Sequence, residues 1–305
     1  VSPNVAALDC GSNSTRLLVT DGELRTLARE MRITRLSQGV DATGALTPAA
    51  LARSYEVLAH YRRVMDEHHV ERGLLVATSA VRDAVNGEEF LSHAAQITGV
   101  SARLLRGEEE AAFSYAGATR ELAEDDRPTL VLDIGGGSTE LAVRLDGVVR
   151  GFSMQLGCVR VTERALGAGV VTPEAAAAAR AMIAAELDRA FAALPELTAL
   201  VGHVRLVGLA GSVATLAQLD AHLRVYDRAA VHHRRLSRED VVRWRTRLGE
   251  LTPVERLALA GMVPGREDVL VAGLYILSAV MERLAVDEVL SSEDDILDGV
   301  AASLI

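Results

Sequence analysis

Two stretches of the chain carry residue types that handle phosphate, and they are nearly the same stretch. Leu8-Asp9-Cys10-Gly11-Ser12-Asn13-Ser14-Thr15-Arg16-Leu17-Leu18-Val19 is followed, 124 residues on, by Leu132-Asp133-Ile134-Gly135-Gly136-Gly137-Ser138-Thr139-Glu140-Leu141-Ala142-Val143. Seven of the twelve positions are identical, where ordinary composition gives about one. Each copy reads as an apolar strand ending in an acid, a turn of small residues, and a second apolar strand. In the second copy, Gly135, Gly136 and Gly137 let backbone N–H groups approach an oxyanion with no Cβ in the way. Ser138 and Thr139 add hydroxyl donors. Asp133 and Glu140 put two carboxylates beside the same loop, and carboxylates next to a phosphate cradle hold Mg²⁺, because bare negative charges would repel the ligand. Asp9, the first copy's equivalent of Asp133, is counted with them. The first copy fills its turn with Ser12, Asn13 and Ser14 and carries Arg16 where the second carries Glu140. One copy thus offers a phosphate clamp and the other a metal site, each charge-assisted bond from an Arg fork being worth about 1.5–3 kcal/mol.

Further segments have weaker signals. Gly208 to Thr215 reads as strand, turn and helix start, so Gly211 and Ser212 are candidates for an anion at a helix N-terminus. They serve equally well in a plain strand-to-helix turn. Val76 to Arg82 is its analogue in the first half, with Arg82 adding a charge. Glu108, Glu109 and Glu110 open a helix, where acids compensate the dipole; one of them facing a cleft would make a general base, and the residues alone do not choose which. Arg266, in the turn Pro264 to Asp268, suits a phosphate or its neighbour Asp268. His68-His69 and His232-His233 lack partners at ligand spacing. Trp244 with Arg243, Arg245 and Arg247 reads as an amphipathic helix face that would suit a partner.

The elements that must position these residues alternate as an α/β fold does. Strands are expected near 5–9, 15–20, 73–77 and 102–105, with helices from Thr47-Pro48, near 87–97, and from 107 to about 122. Glu124 to Pro128 is charged and turn-prone, which divides the chain into residues 1–124 and 125–305. The second half repeats the plan, with strands at 129–134, 139–145, 148–154, 204–208 and 286–291. Its helices are expected at 157–166, 173–194, after 211, 238–249, 253–261, 267–284 and from 294. Asp21-Gly22 and Asp146-Gly147, each following a copy of the repeat, are hairpin-turn dipeptides. Two layered α/β domains with the ligand in the cleft between their loops follow.

The 305 residues suffice for two domains with ordinary cores. A formal charge of −10 argues against nucleic acid and anionic membrane as partners, so a polyanionic substrate needs local arginines. Cys10 and Cys158 match no metal spacing and read as buried residues of a reduced, cytoplasmic protein. Val1 to Leu8 reads as the run-up to the first strand and not as a secretory signal. The apolar run Val269 to Met281 is too short to span a bilayer.

The motifs, in order, resemble those of the exopolyphosphatase / guanosine pentaphosphate phosphohydrolase family of the actin-like ATPase superfamily. The resemblance rests on Leu8 to Ser14, Thr78 to Arg82, Gly107 to Ala111, Asp133 to Glu140, Leu156-Gly157-Cys158, Gly208 to Leu216 and Pro264 to Val269, and covers nearly the whole chain. It implies two tandem actin-like (ribonuclease H-like) domains with an interdomain cleft. It also implies Mg²⁺-dependent hydrolysis of the terminal phosphoanhydride of inorganic polyphosphate or of guanosine pentaphosphate, and a homodimer. Position by position, Glu110 matches the family's general base, and Asp133 and Glu140 its acidic, metal-associated pair. Ser12, Asn13, Gly135, Gly136, Gly137 and Ser138 match phosphate-loop positions, and Arg82 and Arg266 phosphate-binding arginines; Arg16 falls where members carry Arg or His. The C-terminal helical domains of longer members are missing, which points to shorter polyphosphate chains. Asp295-Ile296-Leu297-Asp298-Gly299 stands where longer members carry Arg-Glu-Gly. The expected activity is that of an exopolyphosphatase. The alternatives are guanosine pentaphosphate hydrolysis, a kinase or ATPase of the superfamily, and a non-catalytic sensor of guanosine tetra- or pentaphosphate.

Overall fold

The computed structural model describes residues 3–305; Val1 and Ser2, at the start of the expected run-up, lie outside the described residues. The chain forms two α/β units, Val1–Arg120 with Asp295–Ile305, and Glu121–Asp294. The first boundary falls close to the expected one, but the second unit does not run to residue 305. The last eleven residues belong with the first unit.

The first unit has strands β1 (Val5–Cys10), β2 (Ser14–Thr20), β3 (Thr26–Ile33), β4 (Arg72–Ala77) and β5 (Ser101–Leu104), in sheet order β3-β2-β1-β4-β5. β1 pairs antiparallel with β2 and parallel with β4, and β4 runs parallel to β5. β1 is buried on both faces. Ala6, Leu8 and Cys10 point into a core with Leu58, Tyr61 and Phe90, and Val5 and Ala7 into a second core with Ile296 and Val300. The period of two in the strand therefore demands a cover on each side. Helix Pro48–Glu67 covers the first face. Thr47 caps it by accepting the Ala50 N–H, a contact worth about 1 kcal/mol.

The second face explains the return of the chain. Helix Ile296–Ala302 packs against helix Gly107–Thr119 so closely that a Cβ on Gly117 would lie 2.8 Å from the Asp295 carbonyl carbon, and one on Gly299 would lie 2.8 Å from that of Phe113. Glycine on both helices permits the contact. Arg16 pairs with Asp295 and Arg29 with Asp298, adding ion pairs to the same seam.

The second unit has strands β6 (Thr129–Ile134), β7 (Thr139–Leu145), β8 (Val148–Met154), β9 (Arg205–Leu209), β10 (Arg235–Ser237) and β11 (Glu288–Ser291), ordered β10-β11-β9-β6-β7-β8. β6 to β8 repeat the antiparallel meander of β1 to β3, and β9 lies parallel to β6 as β4 does to β1. The duplication read in the sequence is thus a duplication of topology. Asp146 and Gly147 both take positive φ, 50° and 79°, as a two-residue type I′ hairpin requires. Asp21-Gly22 instead opens a longer loop in which the Asp21 carboxylate accepts the N–H groups of Glu23 and Arg25. The expected helix over 157–166 is an α-helical turn, Cys158–Val161, running on as a π-helix, Thr162–Leu166. No helix among the described residues is long and apolar enough to cross a membrane.

Candidate functional site

Strand register sets the electrostatics of the two copies. In the first, Asp9 stands directly opposite Arg16. Asp9 Oδ2 accepts from Arg16 Nε at 3.0 Å and Nη2 at 2.6 Å, while Oδ1 is buried with no hydrogen-bond partner among the described residues. Burial pushes the Asp9 carboxyl above its ordinary range, Arg16 opposes this, and Asp295 adds to it. Arg16 is accordingly held within its own unit by Asp9 and Asp295. In the second copy the corresponding positions, Asp133 and Glu140, are also directly opposed. Both are buried, and Ser153 Oγ donates to Glu140 Oε1 at 2.6 Å. Like charges facing each other across a ladder are unfavourable, so a buried carboxylate pair of this kind suits a divalent cation. The orphaned Asp9 Oδ1 suits one too, directly or through water. The residues present therefore fit Mg²⁺.

The turns between these strands are alike in one further respect: their carbonyls are held. Ser12 O accepts from Ser37 N at 2.9 Å, and Asn13 O accepts from Thr34 N at 3.1 Å and Arg35 N at 2.9 Å. In the second copy Gly135 O accepts from Cys158 N at 2.9 Å, and Gly136 O from Val159 N at 2.9 Å and Arg160 N at 3.1 Å. Gly137 O accepts from Arg160 Nε at 2.7 Å. In a trans peptide the N–H points opposite to the C=O, so each held carbonyl fixes the direction of the next amide. A Cβ on Gly157 would crowd the Gly136 carbonyl and approach Gly137 N to 2.6 Å, which is why this docking segment begins with glycine. Asn13 Nδ2 is a buried donor with no hydrogen-bond partner among the described residues. Ser12 Oγ meets Ser79 Oγ at 3.1 Å, joining the first turn to the Thr78–Arg82 motif. Ser14 opens β2 and accepts the Gly11 N–H through its carbonyl.

The three glutamates of helix Gly107–Thr119 separate by environment. Glu108 is exposed, Glu109 caps the helix by accepting the Arg106 N–H at 3.0 Å, and Glu110 is buried. Arg82 Nη1 lies 3.8 Å from Glu110 Oε2 and donates to the Leu105 carbonyl at 3.0 Å. Of the three, Glu110 is the one placed with a phosphate-binding candidate.

Gly211 and Ser212 have contacts the sequence did not suggest. A Cβ on Gly211 would overlap the guanidinium of Arg266, and one on Gly273 would overlap Ser212 Oγ. Arg266 is buried and its guanidinium occupies the space a Gly211 side chain would need, so the two motifs form one feature. The left-handed backbone at this turn belongs to Ala210, φ 66°, and not to the glycine. Cys158 completes the group. Burial raises its thiol above the ordinary range, while Arg266 and a hydrogen bond with Ser212 pull it back.

Glu121, His232 and Asp294 offer ligand-capable atoms within 4.8 Å of one another, a grouping that sequence spacing hid. The Glu293 N–H donates to His232 Nδ1 at 3.1 Å, which leaves the ring proton on Nε2, 3.9 Å from Asp294 Oδ2. Arg228 donates to Asp294 Oδ1 at 2.6 Å. A neutral imidazole cannot ligate through the nitrogen that carries its proton, so with Nδ1 accepting the Glu293 N–H the ring offers no ligand atom toward Asp294. The Trp244 face is likewise occupied from within. Trp244 Nε1 donates to Asp220, Arg243 pairs with Asp220 and Asp240, and Arg245 donates to Ser278.

Known proteins of one family resemble this chain. The Ppx/GppA phosphatase family matches residues 18–305. Exopolyphosphatase 2 of Mycobacterium tuberculosis is 41% identical over 98% of this chain and 98% of its own length. A guanosine-5'-triphosphate,3'-diphosphate pyrophosphatase of Vibrio atlanticus is 30% identical over 99% of this chain and 59% of that protein. A crystal structure of an exopolyphosphatase-like protein superposes with a TM-score of 0.90 at 35% identity, covering 99% of this chain and 100% of that one.

Proposed function

The chain belongs to the Ppx/GppA phosphatase family, and from that premise we propose that it is an exopolyphosphatase releasing orthophosphate from the end of inorganic polyphosphate. The observation that supports this most is the second copy of the repeat. It pairs a loop whose amides are fixed by held carbonyls with two directly opposed, buried carboxylates. Such an arrangement serves phosphoryl transfer, which asks mainly for positioning and charge stabilisation.

In this reading the amides of Gly136, Gly137 and Ser138, the Ser138 hydroxyl and Arg266 bind phosphoryl oxygens in the second unit. Gly211 leaves the room that Arg266 occupies, and Ser212 packs against Gly273 beside it. In the first unit Ser12, Asn13, Ser14 and Arg82 bind phosphate, Asn13 through its buried Nδ2. We assign Mg²⁺ to Asp133 and Glu140, and to Asp9; when bound, it supplies charge neutralisation at the phosphoryl oxygens. Arg16 acts here as the internal counter-ion of Asp9 and Asp295 rather than as a phosphate ligand. Glu110 is the general base. It accepts a proton from the attacking water as the water oxygen bonds to the terminal phosphorus and the bridging P–O bond breaks. Orthophosphate and a chain shorter by one phosphate leave.

The test is phosphate release from polyphosphates of several lengths, guanosine pentaphosphate and ATP, each with and without Mg²⁺. Polyphosphate should give the highest kcat/KM and chelation should abolish it, whereas a preference for pentaphosphate moves the function to the alternative hydrolase. Glu110→Gln should lose activity by about 10²–10⁴ with an unchanged thermal midpoint. Parent-rate hydrolysis by that variant refutes the assignment of the base.

A further inference from the structure

The two copies of the turn hold their carbonyls differently at one position. In the first, the carbonyl of Asn13 is held by two backbone N–H groups, those of Thr34 and Arg35. At the equivalent residue of the second, Gly137, the carbonyl accepts from a side chain, Arg160 Nε at 2.7 Å. Arg160 is buried, and its own N–H holds the neighbouring carbonyl, Gly136 O. One residue thus grips two successive peptide planes of a glycine run that has no side chains of its own to fix it. Glycine loses more conformational freedom on ordering than any other residue, so three in a row depend on outside anchors to stay in one conformation.

We infer that Arg160 is a positioning residue of the phosphate loop: by holding the Gly137 carbonyl it turns the Ser138 amide, on the far side of that peptide plane, toward the ligand. This rests on the reading of the loop as a phosphate cradle. It adds that the cradle is preorganised from behind by a cation that does not itself touch substrate. A loop already held in its binding conformation bears no ordering cost when substrate arrives, so loss of the anchor is read first in KM.

The experiment is steady-state hydrolysis of polyphosphate by the parent, Arg160→Met and Arg160→Lys, with thermal midpoints measured alongside. Arg160→Met keeps the apolar stem and removes the donor. It should raise KM by about tenfold or more while the folded fraction at assay temperature is unchanged. Arg160→Lys keeps one donor and the charge, and should bring KM back to within about threefold of the parent. A purely structural role gives the opposite split, less active enzyme at the parent's KM. A folded Arg160→Met with KM within about twofold of the parent overturns the inference. Should that variant not fold, Arg160→Gln is judged by the same criterion. A parent that does not hydrolyse polyphosphate at all overturns the functional reading instead, so the two failures are distinguishable.

Discussion

Substituting Gly211 by alanine separates stability from activity. The added Cβ would occupy the space of the Arg266 guanidinium. For ordinary van der Waals contact at about 3.5 Å, that group must retreat by about 2 Å. The obstruction is the far end of a flexible side chain, so the backbone need not move. Gly211 lies in the first turn of helix Ala210–Asp220, where alanine is favoured over glycine by about 0.5–1 kcal/mol. Its own φ lies outside the left-handed region. Gly211→Ala should therefore leave the thermal midpoint unchanged or slightly raised. With Arg266 binding phosphate as proposed, its displacement by about 2 Å should nevertheless lower kcat/KM for polyphosphate by on the order of 10²-fold, about 2.7 kcal/mol of transition-state stabilisation. The decisive assay is a double-mutant cycle with Arg266→Met. If Gly211 acts through Arg266, adding Gly211→Ala to that background changes kcat/KM little further. Parent activity in Gly211→Ala refutes the reasoning. So does a full additional loss in the Arg266→Met background, which would place Gly211 itself against the substrate.

Two other expectations concern the scaffold. Gly299→Ala would set a Cβ 2.8 Å from the Phe113 carbonyl carbon and 3.1 Å from its Cα. Here the obstacle is backbone, so the variant should lose about 1–3 kcal/mol in urea unfolding; an unchanged unfolding midpoint rules out the close helix contact. His233 is half-buried, and burial holds its imidazole below the ordinary value of 6.5. Below about pH 6.5 the unfolded chain then binds more protons than the folded one, so the contribution of this group is present above that pH and lost as pH falls. His233 has φ 59°, which asparagine tolerates. Thermal midpoints of the parent and His233→Asn should therefore diverge only on the acid side, and parallel profiles would show that the imidazole is not the cause.

What the sequence disclosed and what it hid divide along the range of the interactions involved. The repeat, the Asp146-Gly147 hairpin and the Thr47 helix start are local chemistry, and local chemistry is written in adjacent residues. β3 escaped notice because it is an edge strand with charged residues interleaved, Thr26 to Ile33, and none of its residues is buried. β10 is only three residues long. The choice of Glu110 among three glutamates depends on burial beside Arg82, which no helical pattern reveals. Glu121, His232 and Asp294 meet only through folding. The return of the last helix to the first unit is likewise non-local, although one clue was present in Gly117 and Gly299, whose lack of side chains makes the contact possible. Gly211 misled in an instructive way. A glycine at a strand-to-helix turn suggests backbone freedom, yet Ala210 takes the left-handed conformation and Gly211 makes room for an arginine.

The proposed division of labour between the copies rests on one difference in a shared register. Asp9 faces position 16 as Asp133 faces position 140. With arginine at position 16 the facing acid is neutralised from within, leaving one carboxylate oxygen for an outside partner. With glutamate at position 140 two acids face each other across the ladder, which is why the proposed metal is assigned there. Exchanging the two would convert each copy toward the other: Arg16→Glu would leave Asp9, Asp295 and the new acid together without their shared counter-ion, and Glu140→Arg would set a guanidinium opposite Asp133 where the metal is proposed. The same loop topology thus occurs twice, and one charge inversion, arginine at position 16 against glutamate at position 140, gives the two copies different electrostatics.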